Sequence, residues 1–113
     1  MSKRSDAVYL EDIRDAIGKI ESYVKGMNID SFSDDWKTID AVVRNLSVIG
    51  EAVNNLSDET KLRSPEVSWH EIIGMRNKIV HEYFGVDQEV LWKTVQDDLP
   101  NLKEMLSKIQ KTD

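Results

Sequence analysis

Cysteine is absent from this chain of 113 residues, and histidine occurs only as His70 and His81. Disulfide bonds, thiolate nucleophiles and cysteine-ligated zinc or iron–sulfur centres are therefore excluded. Any metal site would depend on carboxylates, but the adjacent pairs Asp34–Asp35 and Asp97–Asp98 are more typical of helix caps and solvated faces than of metal ligands. We therefore predict no metal and no cofactor.

Long apolar runs are also missing. No stretch approaches the roughly 18 residues that a membrane span needs, and the N-terminal residues Met1–Asp6 lack the apolar segment of a signal peptide. We therefore expect a cytoplasmic protein with no membrane contact. The apolar fraction of 40% and the charged fraction of 32% suit one folded domain over residues 1–113.

Basic residues are outnumbered by acidic ones, and the net charge is −6. This charge argues against broad electrostatic capture of nucleic acid, because such binding draws its affinity from lysine and arginine side chains that neutralise phosphates. Any contact with RNA must therefore be local. One or two arginines at a reacting phosphate could still suffice for catalysis.

Apolar residues recur at spacings of three and four through most of the chain, which predicts amphipathic α-helices. Four main helices are expected: about Asp6–Gly26, Trp36–Leu56 with Ser33 or Asp34 as its cap, one opened by a capping box at Ser68–Glu71, and one capped by Asp87 that continues almost to the C-terminus. The segment Asp58–Ser64 is expected to add one helical turn. The apolar pattern continues through Pro100, so we predict a kinked helix there and not two helices.

No segment alternates with period two, so no sheet is expected. The predicted fold class is all-α, an up-and-down four-helix bundle with one extra short turn. Trp36, Trp69 and Trp92 lie on the apolar stripes and are expected in the core. Gly50 and Gly74, inside predicted helices, suggest close approach of another backbone at a helix crossing or a subunit interface.

The stretch Gly74–Gly85, with the sequence GMRNKIVHEYFG, places arginine, asparagine, histidine and tyrosine close together near the end of the third helix. Its Arg76, His81 and Tyr83 follow the pattern of Arg, four residues, His, one residue, Tyr. In this respect the chain resembles HEPN domains of the HepT type. The resemblance extends to Arg44–Ala52, Trp69–Ile73, Val86–Asp87 and Asp98–Pro100.

The resemblance implies the toxin of a HepT–MNT toxin–antitoxin system, an endoribonuclease that acts as a homodimer with two Arg–His pairs facing each other. It also implies a small nucleotidyltransferase antitoxin, the MNT protein, that attaches AMP to Tyr83. The added phosphate would then occupy the place meant for RNA, beside Arg76 and His81.

The chemistry of Arg76 and His81 suits this activity independently of the resemblance. Cleaving RNA without a metal needs a base that takes the proton from the 2′-hydroxyl and a fixed cation that stabilises charge on the phosphate. Histidine titrates near neutral pH, so His81 can act as base or acid. Arg76 stays charged and presents a planar fork to phosphate oxygens. The expected product carries a 2′,3′-cyclic phosphate.

The spacing of the two residues adds a constraint. Five residues along an ideal helix rotate a side chain by about 140°, so Arg76 and His81 do not share a face. Either the helix unwinds before His81, or two subunits contribute to one cleft, as the resemblance implies. Asn77 lies on the same face as His81 and is expected to orient it or to bind a phosphate.

Two other interpretations stay open. The chain could be a non-catalytic HEPN subunit that binds nucleotide, or that presents Tyr83 to its nucleotidyltransferase partner. Alternatively, the motif could be incidental, with Arg76 in an ion pair with Glu51 or Glu82 and His81 at a helix end.

Overall fold

The structure, a computed structural model, describes residues 5–74 and 87–112, with side chains through residue 108. Every regular element in these ranges is helical, which confirms the all-α prediction. The bundle topology and the homodimer stay predictions. In chain order the helices are α1 (Asp6–Val24), α2 (Ile29–Asp34), α3 (Trp36–Asn55), α4 (Asp58–Arg63), α5 (described over 69–74), α6 (Gln88–Lys93) and α7 (Leu99–Thr112), with a π-helical turn (Thr94–Asp98) between the last two.

The two longest helices, α1 and α3, form the main packing of the fold. They run antiparallel, because Asp6 at the start of α1 is hydrogen-bonded to Ser57 just beyond the end of α3. α7 packs against α1. Side chains spaced by three and four on these helices form one buried apolar cluster, which includes Ile13, Ile17 and Ile20 of α1, Val42, Ile49 and Val53 of α3, and Leu102 and Leu106 of α7.

The segment after α1 was expected only to end that helix, but it forms a helix of its own. Gly26 has a φ of 80°, a left-handed conformation that suits glycine and turns the chain out of α1. The Asn28 side chain then accepts a hydrogen bond from the Ser31 backbone N–H, and Ser31 Oγ accepts one from the Asn28 N–H. This reciprocal cap starts α2 and places Phe32 fully in the core.

The start of α3 also differs from the prediction. Its cap is Asp35, which accepts a hydrogen bond from the Thr38 N–H at 3.1 Å, and not Ser33 or Asp34. Trp36 is thus the first helical residue, a turn ahead of Ile39, where the buried face of α3 begins.

Because α3 begins at Trp36, this side chain lies beyond the end of the core and is 67% exposed. The prediction of a core tryptophan was therefore wrong at this position. Trp69 is buried as expected. Trp92 is partly buried and lies 5.1 Å from the Phe32 ring, measured between centroids.

The helical run over 88–112 continues through Pro100, as predicted, and contains one wider turn. The Leu99 N–H donates to the Thr94 carbonyl, five residues back. Proline has no N–H, and its ring would meet the carbonyl of Gln96 in a regular helix. A π-helical turn directly before Pro100 accommodates both effects without ending the run.

Of the two glycines expected at close approaches, Gly50 is buried in α3. At Gly74, an added Cβ would meet no atom of the described structure within 4 Å, so the described residues form no close helix crossing there, and the subunit-interface alternative stays a prediction. None of the helices in the described ranges is long and apolar enough to cross a membrane.

Candidate functional site

The four predicted site residues, Arg76, Asn77, His81 and Tyr83, lie outside the described residues. The structure instead describes the elements that precede and follow this segment along the chain. The chain enters the segment from α5 and leaves it at Asp87, the cap of α6.

The entry side is fixed by Trp69, seven residues before Arg76 in the sequence. The indole is buried, and its Nε1 donates to the carbonyls of Lys61 and Ser64, each at 3.1 Å. The Ser68 carbonyl accepts the first helical bond, from the Ile72 N–H at 3.1 Å, which confirms that the third main helix opens at Ser68. These bonds tie the start of α5 to the end of α4.

The exit side is fixed by Asp87 and Trp92. The Asp87 carboxylate accepts a hydrogen bond from the Glu89 N–H at 2.7 Å and caps α6, as predicted. α6 packs against α2, where Trp92 meets Phe32. α2, which the sequence pattern did not reveal, therefore supports the helix that follows the motif.

A cavity of about 330 Å³ lies beside α5, between α3 and the start of α7. Of the described residues that line it, three carry carboxylates: Glu66, Glu71 and Asp98. Partial burial raises the pKa of Asp98, and the negative charges of Asp97 and Glu71 raise it further. These carboxylates of the described lining repel phosphate, so they do not contribute to binding an RNA backbone. Its apolar lining includes Leu46, Ile49, Val67, Ile72, Leu99, Leu102 and Met105.

Several basic side chains of the described ranges are paired with carboxylates. Arg14 contacts Glu11 at 2.7 Å, and Arg63 contacts Glu59 at 2.9 Å. Lys103 reaches from α7 to Glu21 of α1 at 3.1 Å. These solvent-accessible pairs contribute little to stability, but they offset positive charge that could otherwise face a phosphate.

No group of three or more histidine, aspartate or glutamate side chains in the described ranges is placed to hold a metal ion. One member of each adjacent acidic pair, Asp34–Asp35 and Asp97–Asp98, has another structural position. Asp35 is the cap of α3, and Asp98 lines the cavity beside α5.

The comparison with protein families shows which family this helical domain belongs to. The model of the HepT-like family, described as "Ribonuclease HepT-like", matches residues 13–109. This chain belongs to the HepT-like ribonuclease family. The matched range includes all of 75–86, so the motif of Arg76, Asn77, His81 and Tyr83 lies inside the HepT-like domain.

Individual HepT-like relatives match over nearly their whole length. "Probable ribonuclease HepT" of Thermococcus cleftensis is 47% identical over 109 residues, which cover 96% of this chain and 99% of the relative. A protein of Caldanaerobacter subterraneus named as a candidate RNase is 40% identical over 101 residues, 89% of this chain and 90% of the relative. One of Methanocaldococcus jannaschii, also named as a candidate RNase, is 35% identical over 104 residues, 92% and 95% of the two chains. No solved structure matches the chain.

Proposed function

We propose that this chain is a metal-independent endoribonuclease, the cytoplasmic toxin of a HepT–MNT toxin–antitoxin system, and that Arg76 and His81 carry the reaction. The observation that carries the proposal is the match to the HepT-like ribonuclease family over a range that contains the motif. The names of the relatives, which refer to ribonuclease activity, support the same class of reaction.

In the proposed reaction, His81 removes the proton of a 2′-hydroxyl, and the 2′-oxygen attacks the adjacent phosphorus. The bond from phosphorus to the 5′-oxygen breaks, and that oxygen takes up a proton from an imidazolium. The products are a 2′,3′-cyclic phosphate end and a 5′-hydroxyl end. Arg76 holds the non-bridging oxygens while negative charge increases on them.

The active unit is proposed to be a homodimer. Because Arg76 and His81 are five residues apart, one ideal helix would direct them to different faces. A cleft between two copies lets the arginine of one copy and the histidine of the other meet at one phosphate. In that cleft Asn77 orients His81 or binds a phosphate oxygen.

Neutralisation is proposed to proceed through Tyr83. A nucleotidyltransferase of the MNT type transfers AMP from ATP, so that the tyrosine oxygen bonds to the α-phosphorus, releases its proton, and pyrophosphate leaves. The bound AMP places a phosphate next to Arg76 and His81, where it competes with RNA.

The described residues support a localised RNA site. The net charge is −6, and the cavity beside α5 is acidic. The cation that contacts the reacting phosphate should therefore come from the motif itself, which assigns this task to Arg76. The same acidic character favours a second candidate function, a non-catalytic HEPN subunit that binds nucleotide or presents Tyr83 to a protein partner.

Substitution separates the two functions. We expect Arg76→Ala and His81→Ala each to reduce RNA cleavage about 100-fold or more and to abolish growth arrest. The matched controls are Arg63→Ala, an exposed arginine of α4, and His70→Ala, an exposed histidine of α5, which should both retain activity. If neither motif substitution affects cleavage by folded protein, the assignment is wrong.

Metal independence and product chemistry are tested in the same assay. Cleavage should persist in excess chelator, and the cleaved RNA should carry a 2′,3′-cyclic phosphate. A 3′-hydroxyl product, or loss of cleavage on chelation, contradicts the mechanism. A wild-type protein that binds its partner but cleaves no RNA favours the non-catalytic subunit.

A further inference from the structure

The Trp36 indole lies in contact with solvent at the start of α3, with a cation beside it. The side chain is 67% exposed, and the Lys37 ammonium lies over its ring at 5.8 Å from the centroid. Because Lys37 covers one face of the ring, most of the exposed area belongs to the other face and to the ring edges. The Trp36–Lys37 pair thus presents an accessible aromatic surface next to a positive charge.

The backbone that carries this pair is held in place by Asp35. Its N–H donates to the Phe32 carbonyl at 3.1 Å, and its carboxylate accepts a hydrogen bond from the Thr38 N–H at 3.1 Å. Hydrogen bonds from Thr38 and from the Lys37 N–H hold the pKa of Asp35 below its ordinary value, so the cap stays ionised. A fixed backbone lowers the entropy cost of binding a ligand at the Trp36–Lys37 pair.

The Trp36–Lys37 pair is connected to the residue at which the chain leaves the motif. Trp36 follows Phe32 by four residues, and Trp92 follows Asp87 by five. The Phe32 and Trp92 rings are 5.1 Å apart, where α2 packs against α6. Asp87 and Trp36 are therefore each within a short helical segment of the same ring contact.

Single-stranded RNA is the ligand that fits this pair. A nucleobase can stack on an exposed indole, and the phosphate next to that base is an anion that Lys37 can contact. The tryptophan at the centre of a protein interface is usually surrounded by other well-packed contacts. Here the residues on either side in the sequence, 34–35 and 37–38, are all polar. One base with its phosphate therefore matches the pair better than an apolar protein surface does.

We propose that Trp36 and Lys37 form an accessory RNA contact, in which one base stacks on the Trp36 indole and Lys37 contacts a phosphate of the same strand, away from the scissile bond. The inference rests on the proposed ribonuclease function and adds a second point of contact with its substrate. Every base has a face that can stack, so the contact tolerates different sequences. It adds affinity for RNA to a chain whose net charge of −6 gives little.

Binding is measured with a single-stranded RNA of mixed sequence and about 12 nucleotides. Each 2′-oxygen is methylated, which blocks the nucleophile of the proposed reaction. The wild-type chain should bind this probe with quenching of its tryptophan fluorescence. Trp36→Ala should raise the Kd at least about fivefold and remove most of the quenching, because Trp69 is buried and Trp92 partly buried. Trp36→Phe should retain most of the affinity, since its ring can still stack.

The phosphate contact is tested by the salt dependence of the same binding. Lys37→Gln should reduce the slope of log Kd against log salt concentration by about 0.7, the value for one phosphate contact on a single strand. Lys108→Gln, at an exposed position of α7, is the matched control and should leave the slope unchanged.

Leu62→Ala is the control for Trp36→Ala, because it removes a side chain that is 78% exposed on α4, beyond the other end of α3. Circular dichroism of each variant checks the fold. The proposal is overturned if the wild type does not bind the probe, if Trp36→Ala binds it as the wild type does, or if Leu62→Ala weakens binding equally.

Cleavage of unmodified RNA is measured separately. Trp36→Ala should raise KM and leave kcat near its wild-type value, because the contact lies away from the reacting atoms. A chain that binds the probe through Trp36 but cleaves no RNA contradicts the ribonuclease and not the accessory contact. A Trp36→Ala variant that cleaves RNA with the wild-type KM and kcat contradicts the accessory contact and not the ribonuclease.

Discussion

Asp6, the first residue of α1, accepts hydrogen bonds from both the backbone N–H and the hydroxyl of Ser57, at 3.1 and 2.5 Å, across 51 residues of sequence. The Thr60 hydroxyl donates to the same carboxylate. Ser57 is also the cap of α4, because its hydroxyl accepts from the Thr60 N–H at 3.2 Å. One carboxylate thus joins the start of α1 to the connection between α3 and α4.

Asp6→Asn should lower the free energy of unfolding at neutral pH by about 1 kcal/mol, through weaker hydrogen bonds at a partly exposed site. Partial burial raises the pKa of Asp6, but the hydrogen bonds from Ser57 and Thr60 outweigh it and hold the pKa below its ordinary value. Since the folded-state pKa is the lower one, this stabilisation is present above the ordinary aspartate pKa and is lost as the pH falls through the folded-state pKa.

Urea unfolding at neutral pH and at about pH 3 measures the difference in the free energy of unfolding between wild type and Asp6→Asn. The gap between the two proteins should narrow at the lower pH. Asp15→Asn, at an exposed position of the same helix, is the control and should change little at either pH. An equal deficit at both values would mean that the Asp6 charge does not contribute.

The contribution of Asp98 to stability should depend on pH in the opposite direction to that of Asp6. Partial burial and the nearby charges of Asp97 and Glu71 raise its pKa, so the folded state favours its protonated form. For such a group, stability decreases as the pH rises through the folded-state pKa. Asp98→Asn should therefore stabilise the chain at neutral pH, by less than about 1 kcal/mol because the side chain remains largely in contact with solvent.

Thermal unfolding checks this, with a higher Tm for Asp98→Asn than for wild type at neutral pH and a smaller difference near pH 4. Asp15→Asn again serves as the control for removing one negative charge from an acidic chain. A lower Tm at neutral pH would show that the Asp98 carboxylate has a favourable partner.

Trp36 and Trp69 together show what apolar periodicity can and cannot predict about the burial of a side chain. Both lie on apolar stripes, and periodicity reports the side of a helix but not where the core ends along it. Trp36 is one turn ahead of the buried face of α3 and is exposed, whereas Trp69 is buried and hydrogen-bonded. The distinction depends on tertiary packing, which a single helical pattern does not contain.

The long helices were the most predictable parts of the fold, whereas the caps were predicted correctly at α6 and missed by at least one residue at α3, which Asp35 caps. α1 and α3 each follow a long apolar stripe, and Asp87 caps α6 as its position suggested. α2 has six residues, too few for periodicity to identify, although the pair Asn28 and Ser31 carries the local signal of its reciprocal cap. The bonds of Asp6 join positions 51 and 54 residues apart, and no spacing rule predicts them.

The candidate site was inferred from the resemblance of the motif to HepT-type HEPN domains, and the chemistry of Arg76 and His81, which supply the two functions that RNA cleavage needs, agrees with it. Their mutual geometry does not follow from sequence spacing, because it depends on whether the helix continues and on which copy supplies each residue. The acidic cavity beside α5 was likewise not foreseen. Glu66, Glu71 and Asp98 come from separate segments, and only the packing of α3, α5 and α7 brings them together.

Trp69→Phe tests whether the hydrogen bonds that fix the start of α5 are needed for activity of the motif that follows it in the sequence. The change keeps an aromatic ring in the core but removes the donor to the Lys61 and Ser64 carbonyls. We expect a loss of about 1–2 kcal/mol in the free energy of unfolding. RNA cleavage should also decrease several-fold under conditions where the variant remains folded, because α5 leads directly to Arg76.

The matched control is Trp92→Phe, which also shortens an indole and retains an aromatic ring next to Phe32. Chemical denaturation gives the stability of each variant, and cleavage is compared at a temperature where both are folded. If both variants cleave equally well, the bonds of Trp69 stabilise the fold without positioning the motif.

Tyr83→Phe separates toxicity from neutralisation. Phenylalanine keeps the ring but lacks the oxygen that would receive AMP, so the variant should still cleave RNA and arrest growth. Co-expression of the nucleotidyltransferase should rescue cells that make the wild-type chain and fail to rescue cells that make Tyr83→Phe. Mass spectrometry of the co-expressed wild-type chain should show one added AMP, located on the peptide that contains Tyr83.

Tyr23→Phe, which changes a tyrosine on α1 that is 40% exposed, is the control and should be modified and neutralised like the wild type. Rescue of Tyr83→Phe by an antitoxin variant that cannot transfer AMP would show neutralisation by binding alone, through the acidic surface. Loss of cleavage in Tyr83→Phe would instead place the tyrosine oxygen in the reaction itself, because the substitution removes one hydroxyl and leaves the charges of Arg76 and His81 unchanged.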